Sequence, residues 1–296
     1  MLDLRKMKTP DILYKYTTAD TTQIILDTGR LRWQSPCQFN DISELQRMPL
    51  LSPSFVEARP IYARKLLEIV YSSVTHNTSA YSQWTQKLIG LLSQWKQQGV
   101  SADSALSAIE SVIPLSEQNI ENVFRQSTER NNDGSLRCFC LTENEMNTLM
   151  WAHYGDSSRG CMLGFRHIEE LSTPFAAAEK VRYSDDVPVI GSAVDFYLYG
   201  PTRDQNRETR LAIYHTKTKD WEYEKEWRVI YKNKAKTDKK YTDYKFYPSE
   251  LESITFGLKI DAEKKAKILD LIASNYSHCD LYELKMTYGV VSRIKF

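Results

Sequence analysis

In the run Trp221-Glu222-Tyr223-Glu224-Lys225-Glu226-Trp227-Arg228-Val229-Ile230-Tyr231, large apolar and charged side chains alternate, which restricts the local backbone more than any other stretch does. Read as a strand, the run puts Trp221, Tyr223, Trp227, Val229 and Tyr231 on one face and Glu222, Glu224, Glu226 and Arg228 on the other. Read as a solvated helix end, it sets Glu222 and Glu226 at i and i+4. The aromatic spacing at every second residue favours the strand. Carboxylates gathered beside aromatic packing repel one another and desolvate poorly, so such a strand calls for a cationic ligand or for positive charge developing nearby.

The same alternating or continuously apolar texture recurs on both sides of a helical stretch. Ile12 to Tyr16 reads as a strand, followed by a helix capped by Thr17, Thr18 or Asp20. That helix buries Ile24 and Ile25, and Gly29 closes it as a C-cap glycine. Leu31 to Trp33 is a second strand, and Phe39 to Glu44 is a turn rich in residues that bond their own backbone. Later come a strand at Leu136 to Leu141, a helix through Trp151 to Tyr154 stopped by Gly155, strands at Cys161 to Phe165 and Val181 to Tyr183, and a helix from Asn206 to Lys217. Ser253 to Leu258, Asp261 to Ala273 and Asp280 to Met286 form a closing βαβ unit.

Between residues 53 and 130 the periodicity is helical throughout. Tyr62, Leu66, Ile69 and Val70 fall on one stripe. Tyr81, Trp84, Leu88, Leu91, Leu92 and Trp95 fall on a second, and Leu106, Ile109 and Ile113 on a third. A fourth helix is expected around Ile120 to Thr128. The pattern predicts an α/β (α+β) fold, a single domain over residues 1–296 with a mixed-sheet body and an all-helical insertion at 53–130. With 42% hydrophobic residues, the 296-residue chain can build its own core.

A formal charge of +1 gives no global footprint for nucleic acid or an anionic membrane. No apolar run approaches the roughly 18 residues of a membrane span, and no apolar leader follows Met1. Five cysteines, an odd count, point to reduced thiols and a cytoplasmic location. Cys138, Cys140, Cys161 and His153 could supply soft metal ligands, but the two strand cysteines lack short-loop zinc geometry, so no metal site is assigned. P-loop, GxGxxG, GxSxG and HExxH motifs are absent, which sets aside kinase, Rossmann dehydrogenase, esterase and zincin chemistry.

Three separated phrases resemble a bacterial family known only as domain of unknown function 2971. They are Tyr14-Lys15-Tyr16 with Phe39-Asn40-Asp41 and Glu44, then Met150 to Gly155, then Trp221 to Arg228, with Phe256-Gly257-Leu258-Lys259 near the end. That resemblance implies a role in bacterial conflict, as a toxin or in antiviral defence. The order of a first strand carrying Tyr14 or Tyr16, the helix ending at Gly29, Ser35, and Glu224 or Glu226 on a late strand is also similar to the ADP-ribosyltransferase superfamily. The first strand has Lys15 where that superfamily has arginine or histidine, and its middle-strand Ser-Thr-Ser phrase is missing.

The second resemblance implies transfer from NAD, in which one glutamate stabilises an oxocarbenium-like state and the other holds or deprotonates the acceptor. Glu224, Glu226 and His153 are the catalytic candidates. Tyr14, Lys15, Tyr16, Ser35, Asn40, Asp41, Trp151, Tyr154 and Arg228 are the candidates for binding NAD. The competing readings are a non-enzymatic sensor or scaffold of a defence system, and a metal-dependent nuclease using Asp41, Glu44 and the late glutamates. Lys232, Lys234, Lys236, Lys239 and Lys240, with Tyr241 and Tyr244 interleaved, offer contacts to a nucleic acid.

Overall fold

The computed structural model describes residues 9–41, 43–45, 47–74, 76–113, 135–171, 173–232 and 238–296. The fourth helix expected around Ile120 to Thr128, together with Lys234 and Lys236, lies outside them. The strands are β1 (Ile12–Thr17), β2 (Arg30–Gln34), β3 (Leu136–Thr142), β4 (Cys161–Arg166), β5 (Glu179–Lys180), β6 (Arg182–Tyr183), β7 (Thr216–Lys217), β8 (Glu226–Lys232), β9 (Tyr241–Lys245), β10 (Leu251–Phe256), β11 (Asp280–Thr287) and β12 (Val290–Lys295). The helices are α1 (Ala19–Thr28), α2 (Phe55–Tyr71), α3 (Gln83–Gln97), α4 (Ala102–Val112), α5 (Thr148–His153), α6 (Ala193–Tyr199), α7 (Arg203–Tyr214) and α8 (Ala262–Asn275).

Contacts divide the chain into two compact units. The first, residues 1–44, 131–185 and 217–296, holds a mixed sheet in the order β12-β11-β10-β4-β1-β3-β2-β9, with β8 paired to β3 and β5 to β8. Among the described residues of this sheet, only β10 and β11 pair in parallel, joined by α8 as the closing βαβ pattern requires. One sheet face, with Leu13, Trp33, Phe139, Leu163, Trp227 and Ile254, is buried with residues of α1 and α8. Each such side chain contributes about 1.5–3 kcal/mol on removal from water. Helix α1 starts where the Thr18 hydroxyl accepts from the Thr21 N–H and ends at Gly29, whose φ of 60° suits a residue without Cβ.

The second unit, residues 45–130 and 186–216, packs α2, α3, α4 and α6. Its core joins Phe55, Tyr62, Leu66, Leu88, Leu92 and Ile109 to Val194 and Tyr197. Tyr62 and Tyr197 stack at 4.9 Å, and Thr85 Oγ1 shares a 2.6 Å bond with the Tyr62 hydroxyl. The helical periodicity at 53–112 holds, and residues 186–216 join it.

Four local expectations change. Trp84 is 42% exposed, because the buried stripe of α3 runs through Thr85, Leu88 and Leu92 instead. Ile24 is 57% exposed while its neighbour Ile25 is buried, a 100° rotation on a helix whose apolar face is narrow. The helix placed at 206–217 spans Arg203–Tyr214, its start fixed by a Thr202–Gln205 capping box, and leaves Lys217 in β7. The run from Trp221 is a strand only from Glu226 onward: Lys219–Glu224 is a 3-10 helix that ends at Lys225 with φ 43°.

Candidate functional site

One edge of β3 is fully laddered and the other is not. Along its whole length β3 pairs with β8, from Leu136↔Lys232 to Thr142↔Glu226. On the opposite edge it meets β1 only at Tyr14↔Thr142 and β2 only at Gln34↔Cys138. Between these two bridges the strands diverge. The Cys140 carbonyl, which sits between them, takes a 2.9 Å bond from Lys15 Nζ, so a side chain fills part of the gap left in the ladder. A cavity of about 600 Å³ occupies this opening, lined by β1, the Thr18–Thr28 side of α1, Phe39, Asn40 and Glu44 of the turn, Cys138 and Cys140 of β3, and Tyr154, Lys217, Glu224 and Glu226.

Glu224 and Glu226 reach this cavity from two different elements that meet at Lys225, where φ is 43°. On a continuous strand they would be alternate residues of one face; here a 3-10 turn delivers Glu224 and β8 delivers Glu226 to the same buried cluster. Cross-strand register sets Glu226 opposite Thr142 and Arg228 opposite Cys140, while Trp227 and Val229 fill the core on the other face. Thr142 Oγ1 donates to the Glu224 carbonyl, which fixes the turn. Glu44 comes from the 39–44 turn, which Asp41 holds by accepting from the Ser43 N–H (2.9 Å) and hydroxyl (2.7 Å).

Three carboxylates and two cations meet there. Lys217 Nζ lies 2.6 Å from Glu224 Oε2, 2.9 Å from Glu226 Oε2 and 3.4 Å from Glu44 Oε1. Arg228 donates from Nε to Glu226 Oε1 (2.8 Å) and from Nη2 to Glu226 Oε2 (2.9 Å), a bidentate pair, and its Nη2 also contacts Glu44. The cation that the glutamate run calls for is therefore supplied by the chain itself, with one negative charge left over. All five side chains are at most 5% exposed. The hydroxyl of Tyr154 donates to Glu224 Oε1, and the Asn40 side chain bonds the same tyrosine.

Burial alone would raise the Glu226 carboxyl, yet Arg228 and Lys217 hold it well below the ordinary range. The balance tips the other way at Glu44: burial raises its carboxyl, only partly opposed by the same two cations. Burial would lower the Lys217 ammonium, but Glu226, Glu44 and Glu224 overcome it and keep the group charged. Burial, then Glu224, push the Tyr154 hydroxyl up, so it stays a proton donor. Tyr14, also buried, is pushed up to about 12.

Of the residues singled out on sequence, Tyr14, Lys15, Tyr16, Asn40, Tyr154, Glu224 and Glu226 line one cavity, and Arg228 stands behind it through Glu226 and Glu44. Four others stand apart. His153 is exposed, its Nδ1 2.9 Å from the Tyr223 hydroxyl, because one step along the short α5 turns it away from Tyr154. Trp151 is buried edge-on against Tyr16 at 5.0 Å, with its Nε1 unpartnered among the described residues. Gly155 is required there: a Cβ would lie 2.7 Å from the Trp151 ring. Ser35 is buried outside the cavity lining, beside the Cys37 thiol at 3.4 Å. Asp41, outside the cavity lining, bonds its turn through Oδ1, while its buried Oδ2 has no hydrogen-bond partner among the described residues. Lys232, Lys239 and Lys240 are exposed.

Lys217 was missed. The signal was the unbalanced run of glutamates a few residues later, which implied a buried cation without naming it. Among the described residues no group of three or more His, Cys, Asp or Glu is arranged to hold a metal ion, and the three clustered glutamates already spend their oxygens on Lys217, Arg228 and Tyr154. No helix among the described residues is long and apolar enough to cross a membrane.

No curated protein and no solved structure matches the chain. Over residues 150–229, the stretch that carries Tyr154, Lys217, Glu224, Glu226 and Arg228, the chain matches the family model described as Protein of unknown function (DUF2971).

Proposed function

We propose that the chain is an NAD-dependent ADP-ribosyltransferase-like effector, acting as a toxin or in bacterial antiviral defence, with the opened edge of β3 as its NAD pocket. The observation that carries this reading is a cavity of about 600 Å³, within the usual span for cofactor sites, with an excess negative charge buried in its wall. When the bond between ribose and nicotinamide breaks, nicotinamide leaves neutral and positive charge grows on the ribose, where a preorganised carboxylate is worth most. Glu224 fits that role better than Glu226. Both oxygens of Glu226 are committed to Arg228 and Lys217, whereas one oxygen of Glu224 is held only by the Tyr154 hydroxyl, which can turn aside. Tyr14 and Tyr16 offer ring surface to nicotinamide, and Lys15, whose partners are a carbonyl and the Phe139 ring, offers a charge to the pyrophosphate.

A second reading, a sensor that binds a nucleotide without turning it over, draws support from the contact that every one of the three carboxylates makes with Lys217 or Arg228. One experiment separates them. Thermal-shift scans with NAD and ADP-ribose report binding, and labelled NAD reports turnover. Under the transferase reading, Glu224→Gln lowers turnover by about 100-fold or more while NAD still raises the midpoint. Binding without turnover in the wild type leaves the sensor, and a midpoint unmoved by either ligand rejects both.

A further inference from the structure

We propose that the outer face of β2 and β9 is a binding track for single-stranded nucleic acid that leads onto the cavity rim. Strand β9 is the last strand of the sheet, and its register on β2 puts Arg30 opposite Lys245, Arg32 opposite Asp243 and Gln34 opposite Tyr241. A like-charge pair directly across a sheet destabilises it. Here nothing within the described residues relieves it: Arg30 reaches only the Asp243 carbonyl, at 3.0 Å, and Lys245 meets no carboxylate. Three cations therefore face one carboxylate, Asp243, which is already paired with Arg32 at 3.1 Å. An external polyanion removes that repulsion.

Two further observations select the kind of polyanion. The Arg32 guanidinium lies 3.7 Å from the centre of the Tyr241 ring, and the tyrosine is still 43% exposed, which makes a planar, cation-backed platform for an unstacked base. A duplex keeps its base faces covered and an acidic peptide has none. Arg30, Arg32, Gln34 and Asp243 also line the cavity, so the track and the pocket are continuous. A strand lying on β2 and β9 thus brings its end or one extruded nucleotide to the rim. Such a track would serve the rim whether or not NAD is the pocket's ligand.

The test is fluorescence anisotropy of the full chain with a labelled thymidine 15-mer, titrated at several salt concentrations without NAD. The expected result is saturable binding whose logarithm falls with log salt at a slope of about −2, three contacts at roughly −0.7 each. Arg30→Glu with Lys245→Glu should weaken binding at least tenfold and flatten that slope. Tyr241→Ala should weaken it roughly fivefold or more with the slope unchanged. Lys267→Glu, exposed on α8, should change nothing. If the double variant loses its folded circular dichroism, Lys245→Glu alone takes its place. Absence of binding overturns the proposal. So does binding indifferent to Lys245→Glu, or binding that polyglutamate matches and Tyr241→Ala leaves unaltered.

Discussion

Replacing Arg228 by Met tests the account of the buried cluster most sharply, because the exchange keeps much of the volume and removes one of two cations from among three carboxylates. Arg228 is fully buried and holds Glu226 by a bidentate pair and Glu44 by a third contact. Without it, Lys217 alone faces Glu44, Glu224 and Glu226, and the excess of one negative charge becomes two. Leaving a buried charge unpaired costs about 3–5 kcal/mol. At about 2–4 °C per kcal/mol for a body of this size, the melting midpoint should fall by roughly 6–20 °C. Glu226→Gln, which leaves two carboxylates for two cations, should cost less, about 1–3 kcal/mol, so the loss of the cation outweighs the loss of the anion.

The pH dependence has a definite sign. In the wild type the Glu226 carboxyl lies below its ordinary value, so its stabilisation is present above about pH 4.3 and fades as pH drops further. In Arg228→Met the cation that holds the Glu226 carboxyl down, and that partly opposes the rise at Glu44, is gone, so both carboxyls should move up relative to the wild type, and a raised carboxyl regains stability as pH falls through its folded value. The deficit measured by differential scanning fluorimetry at pH 7 should therefore shrink at pH 5. A drop under about 3 °C, or a deficit equal at both pH values, would refute the charge argument.

Three further outcomes follow from the same geometry. Glu224→Gln should stay folded with a midpoint above that of Arg228→Met, since Lys217 and Arg228 keep Glu44 and Glu226 as partners; scanning fluorimetry of the two side by side checks the order. His153→Ala should shift stability by no more than about 0.5 kcal/mol and, under the proposed transferase reading, leave NAD turnover at the wild-type rate, because the ring is exposed and among the described residues bonds only Tyr223; a large loss of turnover would return His153 to the site. In a thiol-reagent assay at pH 8, exposed Cys37 should react promptly. The buried thiols of Cys138, Cys161 and Cys279, which burial pushes up to about 12, should wait for unfolding.

What the sequence determined was local. Residues a few positions apart set the strand at Ile12–Thr17, the Thr18 cap and Gly29 stop of α1, the Asp41 turn, the helical texture from 53 to 112 and the final βαβ unit, because caps, turns and side-chain periodicity act over one or two turns of chain. It also flagged Glu224 and Glu226 as carboxylates in need of a positive charge. Tertiary structure decided which charge answered. Glu44 and Arg228 stand 184 positions apart, and Tyr154 and Glu224 stand 70 apart, so no periodicity could pair them. Lys217 read as the end of a helix until the Thr202–Gln205 capping box shifted that helix toward the N-terminus and released it into the cluster. The opening between β1 and β3 was likewise invisible in the sequence. Which strand edges stay unpaired depends on the register and divergence of the whole sheet, and only the folded sheet turns a handful of scattered residues into the wall of one cavity.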